Sequence, residues 1–136
     1  MRDLNELLPV VKDAAVRALA KVKAAGIEVL VTCTYRTAAE QKALYEQGRT
    51  KPGKIVTKAK PGQSFHEYRV ALDLYPVING KPDFAGSHTE TWKKVASFFK
   101  EEGFEWAYEW KRFKEMPHFQ MTKGHPLSYF QNGGKI

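Results

Sequence analysis

The sequence holds a single cysteine, Cys33, and only four histidines in its 136 residues. One thiol excludes an internal disulfide framework and fits a chain folded in a reducing compartment. No run approaches the roughly 20 continuous apolar residues that a membrane-spanning helix needs. The first residues, Met1-Arg2-Asp3, lead into charges alternating with leucine and lack the apolar core of a secretory signal. A target outside the membrane would therefore need another route of access. No internal repeat is apparent. What is present is ordinary for a globular protein: 43% hydrophobic and 27% charged residues, in a length that suits one domain. The net charge of +7 favours polyanionic partners, whether nucleic acid, anionic lipid or an acidic cell wall, without choosing among them.

Leu4, Leu7, Leu8, Val11, Ala15, Ala18, Leu19 and Val22 recur at helical spacing, and Pro9 suits a first turn, so a helix is predicted from about Pro9 to Ala25, stopped by Gly26. Ile27 to Thr34 is rich in β-branched residues and reads as a buried strand, with Cys33 a small buried hydrophobe in it. Thr37 and Glu40 form a capping box for a helix to about Gln47. From Gly48 to Gln63, Lys, Pro, Gly and Thr dominate without period, which reads as a mobile basic loop. Val70 to Val77 is a strand with Ala71, Asp73 and Tyr75 on one face and Leu72 and Leu74 on the other. Asn79-Gly80 predicts a hairpin turn. Thr89 is the expected cap of a helix bearing Trp92, Val95, Ala96 and Phe99, ended by Gly103. Short strands near Phe104 to Trp106 and Pro117 to Met121 complete the pattern, and residues 124–136 read as a peripheral tail to a core of about 4–123. Helices around a small, mostly antiparallel sheet make the fold class α+β, in a single domain.

A carboxylate in the apolar run VALDLYPV is costly to bury without a partner. A metal ion is one such partner for Asp73; an arginine is another. Catalytic zinc takes three protein ligands, from His nitrogen and carboxylate oxygen, and leaves a fourth position open. His66 precedes Asp73 by seven residues, and His118 shares a strand face with Gln120. Glu115, three residues before His118, is the nearest candidate for a general base. Arg36, at the end of the first strand, has the planar fork that suits a substrate carboxylate or an oxyanion. His88 and His125 are expected to have no catalytic part.

Three blocks carry a resemblance to the VanY-type D,D-carboxypeptidases and, more closely, to the phage endolysin L-alanyl-D-glutamate peptidases. They are Thr34-Tyr35-Arg36-Thr37 with Gln41, Ser64-x-His66-x-Tyr68-x-x-Ala71-x-Asp73, and the stretch Trp106 to Gln120, which contains Phe113. The resemblance implies one catalytic Zn2+ on His66, Asp73 and His118, with Glu115 as base and Arg36 on the substrate side. It further implies substrate contacts from Gln41, Ser64 and Trp106, and a peptidoglycan stem peptide as the substrate of a monomer. Synthesis in a host bacterial cytoplasm, with holin-dependent access to the wall, is the matching expectation. Arg69 stands where the family usually has glycine, at a possible cost of about 1–2 kcal/mol if that position needs φ > 0. Ala107-Tyr108 replaces a common Gly-Gly pair, and Glu115 is Asp in many endolysins. The rivals are a D-alanyl-D-alanine carboxypeptidase, which Glu115 favours, and a catalytically impaired peptidoglycan-binding module, which Arg69 motivates. No recognised motif supports nucleic-acid binding.

Overall fold

The computed structural model describes residues 1–112 and 114–136; Phe113, in the third motif block, lies outside the described residues. Four helices and five strands are present among the described residues: α1 (Pro9–Ala24), β1 (Glu28–Cys33), α2 (Ala38–Glu46), β2 (Ala71–Ile78), β3 (Lys81–Pro82), α3 (Thr89–Glu101), β4 (Glu105–Trp106), β5 (His118–Gln120) and α4 (Leu127–Gln131). The strands form one sheet in the order β1-β2-β5-β4, with β3 turned back on β2. Every pairing is antiparallel, so the α+β expectation holds.

One face of the sheet carries the core. Leu72 and Leu74 of β2 and Phe119 of β5 are fully buried with Val11, Ala15 and Ala18 of α1 and Trp92, Val95 and Phe99 of α3. Alternation along β2 then sends Asp73 to the opposite face. Register completes the placement, since Asp73 pairs laterally with Cys33 of β1 and with His118 of β5. The sheet thus delivers three polar side chains side by side on the face that the helices leave uncovered.

The expected α1 and α2 form within a residue of their predicted ends, and the Thr37–Glu40 capping box closes in both directions, at 3.1 and 3.0 Å. Asn79 and Gly80 both take positive φ, 52° and 77°, as a tight hairpin turn requires. Residues 48–63 form no helix or strand.

Two expectations are corrected. Thr89 does not cap α3: His88 occupies the N-cap, and no side chain of the helix closes it. The Asp83 carboxylate instead fixes the entry to the helix, accepting from the backbone N–H groups of His88 (3.0 Å) and Ser87 (3.2 Å) and from Trp92 Nε1–H (2.8 Å). One charged acceptor thus gathers two backbone donors and an indole N–H ahead of the first turn. The chain after Gly124 is not merely peripheral either. α4 sets Phe130 into the core at 2% exposure, edge-on to Phe65 with centroids 5.9 Å apart, behind the turn that bears His66.

The backbone N–H of His88, followed by the other donors, holds the Asp83 carboxyl well below the usual carboxylate range. Its native pKa lies below its unfolded one, so the stabilisation is complete above the unfolded value and is lost as pH falls. Asp83→Asn should therefore lower the thermal midpoint at neutral pH. The gap from wild type should close as pH drops below about 4. A gap that stays constant through that range in a melting series would refute the role of the charge.

Candidate metal centre

The turn Phe65–Tyr68 is a short 3-10 helix opened by Ser64, whose hydroxyl accepts from His66 N–H at 3.3 Å. The Glu67 carboxylate reaches back to the N–H groups of Ser64 (3.0 Å) and Gly62. These bonds fix the turn as it enters β2. The turn ends at Arg69 in the left-handed region (φ 63°, ψ 29°), the positive φ that a glycine would adopt without strain. Arg69 is held there by its own side chain. Its guanidinium donates to the Glu6 carbonyl and carboxylate, each at 2.9 Å, and lies over the Tyr35 ring 3.8 Å from its centroid. His66 and Asp73 therefore meet despite the missing glycine.

The meeting point is one oxygen. Asp73 Oδ1 lies 3.1 Å from His66 Nε2 and 3.2 Å from His118 Nδ1. The outward nitrogens of both rings are tied elsewhere: His66 Nδ1–H donates to the Thr34 carbonyl at 2.9 Å, and His118 Nε2–H donates to Gln120 Oε1, also at 2.9 Å. With one proton held on each outward nitrogen, the inward nitrogens face Asp73 and are open to a second proton or to a metal ion. Donor atoms around a tetrahedral zinc, at about 2.0–2.1 Å from it, are separated by roughly 3.3 Å. The two separations to Asp73 Oδ1 fit that spacing, and two imidazoles with one carboxylate fit the donor preference of catalytic zinc.

Burial disfavours the His66 imidazolium, but the charge of Asp73 and its hydrogen bond outweigh burial and raise the His66 pKa to about 10. Burial likewise opposes the Asp73 carboxylate, and the two histidines overcome it, holding Asp73 well below the carboxylate range. The centre is electrostatically built to concentrate positive charge beside Asp73, as a proton or as a divalent cation.

Cys33 departs from expectation. A register irregularity between Val31 and Cys33 sets its thiol on the Asp73 side of the sheet, half-buried, with Sγ 3.6 Å from His66 Nδ1 and 3.5 Å from the Arg36 guanidinium. Burial pushes this thiol up, while His66 and Arg36 outweigh burial and leave it below its ordinary pKa. Ligand atoms of Cys33, His66 and Asp73 all lie within 4.8 Å of one another, which makes a second possible ligand trio. In that trio the His66 nitrogen nearest Cys33 is the one already bonded to the Thr34 carbonyl.

Arg36 lies at the rim, 4.0 Å from Asp73 Oδ2, with NH1 donating to Gln41 Oε1 at 2.9 Å. Glu115 is half-exposed, 3.8 Å from His118 Nδ1. The other three expected substrate contacts are engaged within the protein. Gln41 is fully buried, and its amide donates to the Ala59 carbonyl at 2.7 Å, pinning the basic loop to Arg36. Ser64 caps the His66 turn, and Trp106 is 4% exposed with its indole N–H on the Met116 carbonyl at 2.7 Å. Sequence reading missed the Thr34 carbonyl and the Cys33 thiol as neighbours of the centre. Of the Gln120 amide it saw only the shared strand face.

Residues 57–121 match a family described as D-alanyl-D-alanine carboxypeptidase, of the M15 peptidases. The chain is 39% identical over 132 residues to the peptidoglycan L-alanyl-D-glutamate endopeptidase CwlK of Bacillus subtilis (strain 168), covering 86% of this chain and 74% of that protein. It is 29% identical over 134 residues to the L-alanyl-D-glutamate peptidase of Listeria phage A118, covering 98% of this chain but 44% of the phage protein. The L-Ala D-Glu endopeptidase ChiX of Serratia marcescens has a similar fold, with a TM-score of 0.65 at 21% identity over 88% of this chain and 83% of that one.

Arg69 yields a stability test. Arg69→Ala keeps the left-handed strain and loses the contacts, whereas Arg69→Gly loses the contacts and relieves the strain. In urea denaturation Arg69→Gly should be the more stable of the two by about 1 kcal/mol. Equal stabilities would contradict a strained turn.

Proposed function

The chain belongs to the M15 peptidase family, and on that premise we propose that it is a zinc endopeptidase cutting the L-alanyl–D-glutamate bond of peptidoglycan stem peptides. The observation that carries the metal assignment is the convergence of His66 Nε2 and His118 Nδ1 on Asp73 Oδ1 with both outward N–H groups tied back. His66, Asp73 and His118 hold the single zinc. When bound, zinc supplies a Lewis acid that makes water acidic enough to attack near neutral pH and polarises the scissile carbonyl.

The protein's own groups do the rest. Glu115, half-exposed beside His118, takes a proton from the attacking water onto its carboxylate and passes it to the leaving amine. Arg36, aimed by Gln41, offers guanidinium N–H groups to a substrate carboxylate or to the oxygen on which charge develops. The names of the Bacillus and Listeria phage relatives support the bond assignment, and the phage source of the second supports action on the cell wall. A monomeric lysin that reaches the wall through a holin is the matching proposal. No helix among the described residues is long and apolar enough to cross a membrane. The description of the matching family favours a second reading, removal of terminal D-alanine.

Digestion of purified peptidoglycan, with fragments identified by mass spectrometry, separates the two. The expected products are free L-Ala carboxyl ends and D-Glu amino ends; release of D-alanine alone would overturn the endopeptidase reading. Glu115→Gln should retain zinc and lose about 10²–10⁴ in turnover. Wild-type rates in that variant would move the base elsewhere.

A further inference from the structure

Gln120 has no part in the chemistry proposed above, yet it is one of the few polar side chains buried in the sheet, at 4% exposure. It stands two residues after His118 on β5, on the same face, and its backbone pairs with Ala71 on one side and Glu105 on the other. That register holds the side chain directly behind the His118 ring. Its Oε1 lies 2.9 Å from His118 Nε2 in a buried contact. A neutral imidazole carries one proton, and an amide oxygen can only accept, so the contact requires the proton on Nε2. Nδ1 is then the bare nitrogen, and Nδ1 is the atom 3.2 Å from Asp73 Oδ1.

We infer that Gln120 is a positioning residue that selects the His118 tautomer and ring orientation needed for metal binding. The inference rests on the zinc reading above and extends it to a group that touches neither metal nor substrate. His66 has a matching support, but from the Thr34 main-chain carbonyl, which no substitution of Thr34 removes. His118 relies on a side chain, so its support is open to mutation. An acceptor behind a metal-binding imidazole also makes the ring a better donor, and loss of such a partner typically weakens metal binding by about 10–100-fold.

The test compares zinc affinity, by competition with a chromogenic chelator, in wild type, Gln120→Met, Gln120→Glu and His118→Ala, with thermal melts confirming that each variant folds. Gln120→Met keeps the bulk and removes the acceptor, so its zinc affinity should fall by about 10-fold or more. Gln120→Glu keeps an acceptor and should stay within about threefold of wild type or bind more tightly. Nitrogen-15 NMR of the zinc-loaded protein should show a His118 Nε2 proton in slow exchange with solvent in wild type and in faster exchange in Gln120→Met. Wild-type zinc affinity in Gln120→Met, or equal weakening in Gln120→Met and Gln120→Glu, would overturn the inference. If His118→Ala also binds zinc like wild type, the metal assignment itself fails. Loss in His118→Ala with no loss in Gln120→Met sinks only the role of Gln120.

Discussion

A carboxylate on the central strand of a small apolar sheet must be met by positive charge, because an isolated buried charge is too costly to keep. Asp73 is that carboxylate, and the surrounding site is organised to meet it. β1 brings Cys33 and, beyond it, Arg36; β5 brings His118; the turn before β2 brings His66. Each approaches from a different part of the chain, and the antiparallel register of β2 makes them neighbours. The helices bury the opposite face, where Leu72, Leu74 and Phe119 anchor the sheet against α1 and α3. Packing on one face and electrostatics on the other are thus two consequences of the same alternation along β2.

Precision at this centre comes from bonds that point away from it. Thr34 and Gln120 hold the outer ring nitrogens, Ser64 and Glu67 hold the turn, and Gln41 holds Arg36 to the basic loop. Arg69 shows how a departure from the family pattern is accommodated. The backbone there keeps the left-handed conformation, and contacts with Glu6 and Tyr35 replace the freedom of glycine. The same contacts tie the segment before α1 to the His66 turn, so the start of the chain and the site are mechanically joined.

Much of this was legible in the sequence, where local chemistry decides the outcome. The Thr37–Glu40 cap, the Asn79-Gly80 turn and the alternation that turns Asp73 away from the helices depend only on residues close in sequence. What was illegible depended on long-range register. The irregularity that turns Cys33 toward Asp73 arises from the pairing of β1 with β2, and nothing in the apolar run IEVLVTCT marks it. His88 rather than Thr89 stands at the N-cap of α3, and the Asp83 carboxylate holds its backbone from the hairpin. Phe130 could be read as part of a polar tail until α4 folded it against Phe65. The bonds that Gln41, Ser64 and Trp106 make within the protein also depend on the fold, and composition and spacing do not encode them.

Asp73 and His66 belong to both possible ligand trios, so the chemistry of the centre turns on whether His118 or Cys33 is the third. Zinc K-edge X-ray absorption of the zinc-loaded protein decides this directly. The expected spectrum shows one zinc with only nitrogen and oxygen neighbours at about 2.0–2.1 Å and multiple-scattering features of two imidazoles. A sulfur neighbour at about 2.3 Å would place Cys33 on the metal and overturn the His118 assignment.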